Sequence, residues 1–256
     1  MKLTQLMRVF FISAIILPSA AFASGGGVEL KSADIDVHNQ QSLQRGAKYF
    51  VNYCQGCHSL KFSRYNRIAV DMGLTNAQVS DNLIFTRDEN GDKTKVGDLM
   101  INALDQKGAA KWFGAPPPDL SLVGRSRSAD WIYTYLNSFY ADPSRPMGVN
   151  NLIFPNVGMP HVLAGLQGLA TLHTPEKDEH ADTHHHAEPT LSIETAGSLN
   201  QSEYEAVTRD LTNFLVYVSE PAQLHRKGYG VWVMLFLGIF FIFAYLLKKE
   251  YWKDVH

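Results

Sequence analysis

Gly228 to Leu247 is a run of twenty residues without one charged side chain. As a helix it would be about 30 Å long at 1.5 Å per residue, which is the thickness of a bilayer's hydrocarbon core. Tyr229 and Trp232 stand near one end, and Tyr245, Tyr251 and Trp252 near the other, where interfacial aromatics are expected. The run is therefore expected to cross a membrane. A second apolar stretch, Val9 to Leu17, follows Lys2 and Arg8 and precedes the small-x-small triplet Ala21-Phe22-Ala23. It is too short to span, and its flanks read as a secretory signal over residues 1–23. Together the two ends predict a periplasmic domain at 24–227, a transmembrane helix at 228–247 and a cytoplasmic tail at 248–256. Lys248, Lys249 and Lys253 in that tail agree with the positive-inside preference.

Composition narrows the middle of the chain. Net charge is −2, and the two ends hold Lys2, Arg8, Lys248, Lys249 and Lys253 against Glu250 and Asp254, so residues 24–247 carry −5. Such a balance excludes the basic footprint of a nucleic-acid binder. Apolar residues recur at helical spacing over Ser42–Tyr53, Val96–Leu104, Asp130–Phe139 and Ser202–Val218. In the last of these Ser202 and Glu205 are spaced as a capping box. Strand signals are scarce, so the expected fold is all-α with long loops. Ala141–Pro160, with four prolines and three asparagines, is expected to be loop. Residues 173–188 form a polar insert with His173, His180, His184, His185 and His186, expected to be a hydrophilic loop without fixed ligand geometry. Asp88, Asn90 and Asp92 begin like a calcium loop, but Lys93 and Leu99 replace the required glycine and glutamate. A turn around Asn90-Gly91 is expected instead.

Both cysteines of the chain fall in Cys54-Gln55-Gly56-Cys57-His58. This is the c-type haem attachment pattern: two thiols one turn apart reach two vinyl groups, and the adjacent histidine falls beneath the iron. A redox dithiol would want a preceding strand, and a structural zinc site would want two further ligands. The sixth iron position then separates an electron carrier from a haem enzyme or sensor. Met72 is too near His58 in sequence, and Met100 reads as core, which leaves Met147 and Met159 in loops. Pro160 biases Met159 toward extended backbone, a slight preference that leaves both open.

The motifs Arg45-Gly46, Tyr53-Cys54-x-x-Cys57-His58-Ser59-Leu60 and Tyr65-Asn66 come first in order. Pro117-Pro118-Asp119-Leu120-Ser121, Arg125-x-Arg127, Asn151-x-x-Phe154-Pro155, Gly158-Met159-Pro160 and Glu220-Pro221 follow. With a C-terminal span, this ordered set resembles the cytochrome c1 family, haem subunits of the quinol–cytochrome c reductase or bc1 complex. The resemblance implies one haem c held by Cys54 and Cys57, with His58 proximal and Met159 distal. It implies that Arg125 pairs with a haem propionate, with Arg127 its competitor, and that Pro117 and Pro118 shape the haem crevice. It implies an electron-carrying redox subunit that makes no bonds of its own. Its partners would be cytochrome b, the Rieske iron–sulfur protein and a c-type cytochrome acceptor, in a dimeric complex of the bacterial inner membrane.

Overall fold

The structure is a computed structural model that describes residues 28–88, 90–174 and 189–253. The expected signal, residues 1–23, and most of the histidine-rich insert lie outside the described residues. Two helices form the spine: α1 (Gln40–Tyr49) and, far along the chain, the nineteen-residue Gln201–Ser219. Their crossing is close because Gly46 has no side chain. A Cβ there would overlap the Asp210 carbonyl oxygen and come within 2.7 Å of Phe214 Cβ. Leu43, Ala47 and Phe50 on one side and Leu211, Phe214 and Tyr217 on the other are at most 1% exposed. A polar clamp stands beside this apolar seam. Arg45 donates twice to Asp210, at 2.5 and 2.9 Å, Ser42 Oγ donates to the same carboxylate at 2.7 Å, and Asn213 donates to Ser42 Oγ at 3.0 Å.

Between these helices come β1 (Leu60–Arg64), α2 (Tyr65–Asp71), α3 (Asn76–Leu83), β2 (Leu99–Met100) and α4 (Gln106–Phe113). Next are α5 (Val123–Ser126), α6 (Ala129–Leu136), β3 (Phe139–Ala141), β4 (Val149–Asn151), α7 (Ala164–Gln167), β5 (Gly168–His173) and β6 (Thr190–Ala196). The long helix is then α8, and α9 (Gln223–Tyr251) closes the order. The described residues are mainly helical, but three antiparallel pairs, β1–β2, β3–β4 and β5–β6, qualify the all-α expectation. Several of these strands have two or three residues, too few to show an alternating pattern in sequence.

Three helix expectations shift. The apolar spacing of Val96–Leu104 belongs to no helix: Met100 pairs with Leu60 across β1–β2 and is buried there, while the helix starts at Gln106. Phe139 leaves α6 and opens β3. Asn200, not Ser202, caps α8, accepting from the Glu203 amide at 3.0 Å while the Glu203 carboxylate accepts from the Asn200 amide at 2.9 Å. The cap-x-x-Glu spacing occurs twice, and asparagine caps as well as serine. The calcium-like stretch is a turn as expected, with Asp88 Oδ1 accepting from the Asn90 and Asp92 amides and Gly91 at φ +84°.

After Glu220-Pro221 the chain continues as α9, 29 residues with a stretch of mean hydropathy 2.5 and no buried residue. At about 43 Å it exceeds the hydrocarbon thickness by a polar turn or two at each end. Glu220 braces its first turns by ion pairs to Arg226 and, at 3.7 Å, to Arg125.

Candidate functional site

The Cys-x-x-Cys-His segment leaves the spine through a π-helical turn. Phe50–Cys54 forms i→i+5 bonds, with the Gln55 amide donating to the Phe50 carbonyl at 2.9 Å. Such single π turns concentrate at functional sites because the extra residue re-aims the side chains that follow. The Cys57 and His58 amides then both donate to the Cys54 carbonyl, which folds the two thiols and the imidazole into one tight turn. No disulfide joins the two cysteines. Burial, with the neighbouring Cys57 adding to it, pushes the Cys54 thiol up to about 12.

His58 is buried, and its Nδ1 lies 2.8 Å from the Pro118 carbonyl oxygen. Proline's carbonyl can only accept, so Nδ1 carries the proton and Nε2 keeps its lone pair. Burial lowers the His58 pKa, against smaller opposing effects of that carbonyl and Asp119. A neutral imidazole with Nε2 free and Nδ1–H anchored on a backbone carbonyl is the arrangement of a metal-ligating histidine. Pro118 thus acts through its carbonyl oxygen. The neighbouring Asp119 and Ser121 accept from the Lys61 and Phe62 amides, fastening the Pro-Pro-Asp-Leu-Ser segment to β1.

Met159 lies with Met147 against a small apolar cluster of Phe139, Val149 and Val157. The two methionines that sequence left open are thus brought to one place, but among the described residues only Met159 receives a polar contact: Tyr135 Oη donates to its Sδ at 3.4 Å. Gly158 lets this loop approach α4, since a Cβ there would stand 2.6 Å from the Phe113 carbonyl oxygen. Phe113 and Pro118 are five residues apart, a span of at most about 18 Å. One short segment therefore touches both the loop of Met159 and the ring of His58.

Asn151, quoted above as part of a motif but given no role, organises the wall beside Met159. Its Oδ1 accepts from the Ile153 and Phe154 amides and Ser138 Oγ, and its Nδ2 donates to the Tyr135 carbonyl at 2.8 Å. Trp131, Tyr135 and Phe139 recur every four residues down α6 into β3, and their rings pack in series, with Phe154 edge-on to the first two. Sequence reasoning missed Tyr135 and Trp131. The i, i+4, i+8 aromatic spacing was a signal, but it reads equally as ordinary core. The arginines diverge. Arg125 is exposed and faces Glu220 at 3.7 Å, whereas Arg127 lies 4.9 Å over the Trp131 ring.

This donor set suits a covalently held haem: two cysteine sulfurs in one turn, a neutral imidazole with a free Nε2, and a thioether packed against an apolar cluster. Among the described residues no group of three or more His, Cys, Asp or Glu side chains could hold a bare metal ion. His173, the first of the insert's histidines, has its Nε2 2.6 Å from Ser192 Oγ at the end of the β5–β6 pair.

Residues 31–255 match the sequence profile described as the Cytochrome C1 family. A cytochrome c1 of Allochromatium vinosum is 52% identical, covering 98% of this chain and 100% of the relative. A protein of Nitrosomonas europaea named ammonia monooxygenase gamma subunit is 42% identical over the same shares. A cytochrome c1 of Rhodospirillum rubrum is 26% identical over 98% of both chains.

Proposed function

The chain belongs to the cytochrome c1 family, and from that premise we propose that it passes electrons one at a time from the Rieske iron–sulfur protein to a c-type cytochrome. It is an electron-transfer protein with haem c, a membrane-anchored subunit of a bc1 complex beside cytochrome b and the Rieske protein, and so the redox subunit of a quinol–cytochrome c oxidoreductase. Dimerisation of that complex, placement of residues 24–227 on the periplasmic side of the inner membrane, with 248–256 in the cytoplasm, and removal of 1–23 as a signal are further parts of the proposal.

The haem supplies reversible one-electron exchange at iron, with no bond in a substrate made or broken. Cys54 and Cys57 would hold it by thioethers, with His58 Nε2 as the proximal donor to iron and Met159 Sδ as the distal one. With both donors bound, the iron would be closed to exogenous molecules and its reduction potential would be high. Pro118, through its carbonyl, keeps the imidazole in one tautomer and orientation. The packed Trp131, Tyr135, Phe139 and Phe154 rings exclude water beside Met159. For the propionate, Arg125 is supported by resemblance, and Arg127 by its place over the aromatic wall and its freedom from Glu220.

The observation that carries this reading is His58, tied through Nδ1 to Pro118 in the same tight turn as Cys54 and Cys57. Absorption spectra of the detergent-solubilised protein test it. The wild type is expected to show the weak far-red sulfur-to-iron band and, when reduced, to ignore carbon monoxide. Met159→Leu should lose the band and bind carbon monoxide, while Met147→Leu should match the wild type. A Met159→Leu variant that keeps the band overturns the distal assignment. Replacing Arg125 and Arg127 singly by Gln identifies the propionate partner as the one whose loss lowers the reduction potential. Labelling of single cysteines introduced at Lys61 and Lys253 in intact cells reads the orientation.

A further inference from the structure

Tyr135 belongs to none of the ordered motifs, yet its hydroxyl is the one polar group that touches the Met159 sulfur among the described residues. That contact is the hydroxyl's sole hydrogen bond there, and its direction is not a matter of chance. Trp131 stacks on the ring at 5.1 Å and 10°, Phe139 meets it edge-on at 5.1 Å, and Phe154 closes a third side at 6.3 Å. Asn151 holds both the Tyr135 carbonyl and the Phe154 amide. The ring cannot swing away without dismantling that set, so the O–H is delivered to the sulfur by packing.

A thioether sulfur carries two lone pairs. An O–H that occupies one leaves the other as the sole donor and fixes which way it points. The same bond draws electron density from sulfur and makes it a poorer donor, which matters more to ferric than to ferrous iron. We propose that Tyr135 is a positioning residue for the distal ligand, whose hydroxyl selects the sulfur lone pair offered to iron and biases the centre toward its reduced state. The inference rests on Met159 being that ligand.

The test is an equilibrium redox titration of the full-length, haem-loaded protein in detergent, read with the far-red band. For Tyr135→Phe, which keeps the ring, the oxidised-to-reduced ratio at a fixed ambient potential should rise about three- to tenfold, the size of one hydrogen bond. Tenfold corresponds to about 59 mV for one electron. The band should persist, shifted, with the melting temperature nearly unchanged. Tyr133→Phe removes a hydroxyl from the same helix at a ring that lies under Arg209 instead of beside Met159, and should titrate as wild type. The proposal is overturned if Tyr135→Phe titrates as wild type, or if Tyr133→Phe shifts as far. Should Tyr135→Phe not accumulate, nuclear magnetic resonance of the reduced wild type decides. A slowly exchanging hydroxyl proton with cross-relaxation to the Met159 methyl is expected, and its absence overturns the proposal. Retention of the band in Met159→Leu would instead remove the ligand assignment, whatever Tyr135 does.

Discussion

Replacing Gly46 by alanine adds one methyl group at the tightest point of the molecule. Its ideal position overlaps the Asp210 backbone oxygen and lies 2.7 Å from Phe214 Cβ. Neither neighbour is the far end of a flexible side chain, so α1 and α8 must part by about 1 Å. A gap of that order forfeits a quarter to a half of each dispersion contact across it, and a fully buried side chain makes about 6 kcal/mol of such contacts. If three of the six side chains at the seam lose a quarter each, the cost is about 4–5 kcal/mol. Alanine's helix propensity returns about 1 kcal/mol, leaving about 3–4 kcal/mol. For a domain of this size that lowers Tm by about 6–15 °C. Thermal melting of the haem-loaded variant, followed by far-ultraviolet circular dichroism, reads it. Because α1 leads directly into Cys54, a fall in covalent haem content by haem staining should accompany the fall in Tm. A Gly46→Ala protein that melts within about 2 °C of wild type with full haem content would refute the reasoning.

Gly158→Ala pushes the Met159 loop off the Phe113 carbonyl and should weaken the far-red band while leaving haem attachment by Cys54 and Cys57 intact, as staining and spectra will read. Tyr204 and Tyr217 are fully buried, and burial raises the pKa of both. Above pH 10 the unfolded chain therefore loses protons that the folded one keeps, and each tyrosine lowers stability by about 1.4 kcal/mol per pH unit. Tyr204→Phe should flatten the alkaline limb of denaturant-unfolding stability by that slope and cost about 1 kcal/mol at neutral pH, where the Leu136 carbonyl loses its 2.7 Å partner. A chain ended at Lys227 lacks the apolar length of α9, which buries no residue in the rest of the protein. It should stay in solution after detergent is removed, with an unchanged haem spectrum.

Features written into consecutive residues were legible without any fold. The uncharged run at 228–247, the Cys-x-x-Cys-His segment and the order of motifs each depend on spacing along the chain, and they carried the family, the haem and the anchor. Helices with long amphipathic faces were legible too, with ends wrong by a turn at most. The apolar spacing at 96–104 misled because a two-residue strand and a buried methionine imitate a helical stripe, and the cap of α8 because two cap-x-x-Glu pairs overlap. What required three dimensions was every pairing between distant residues. Met147 and Met159 are chemically alike and both in loops, so spacing left both open and only the family resemblance chose Met159; the fold adds a hydroxyl, 24 residues away in sequence, that touches its sulfur. Arg125 and Arg127 are two positions apart, but a helix turns them to different neighbours, a carboxylate and an indole. Pro118 reads as a backbone stiffener until its carbonyl is found 2.8 Å from His58. Local spacing specifies which chemistry a segment can offer, because covalent geometry holds it there. Which of several equivalent groups performs that chemistry depends on the packing of remote segments, and no local pattern encodes it.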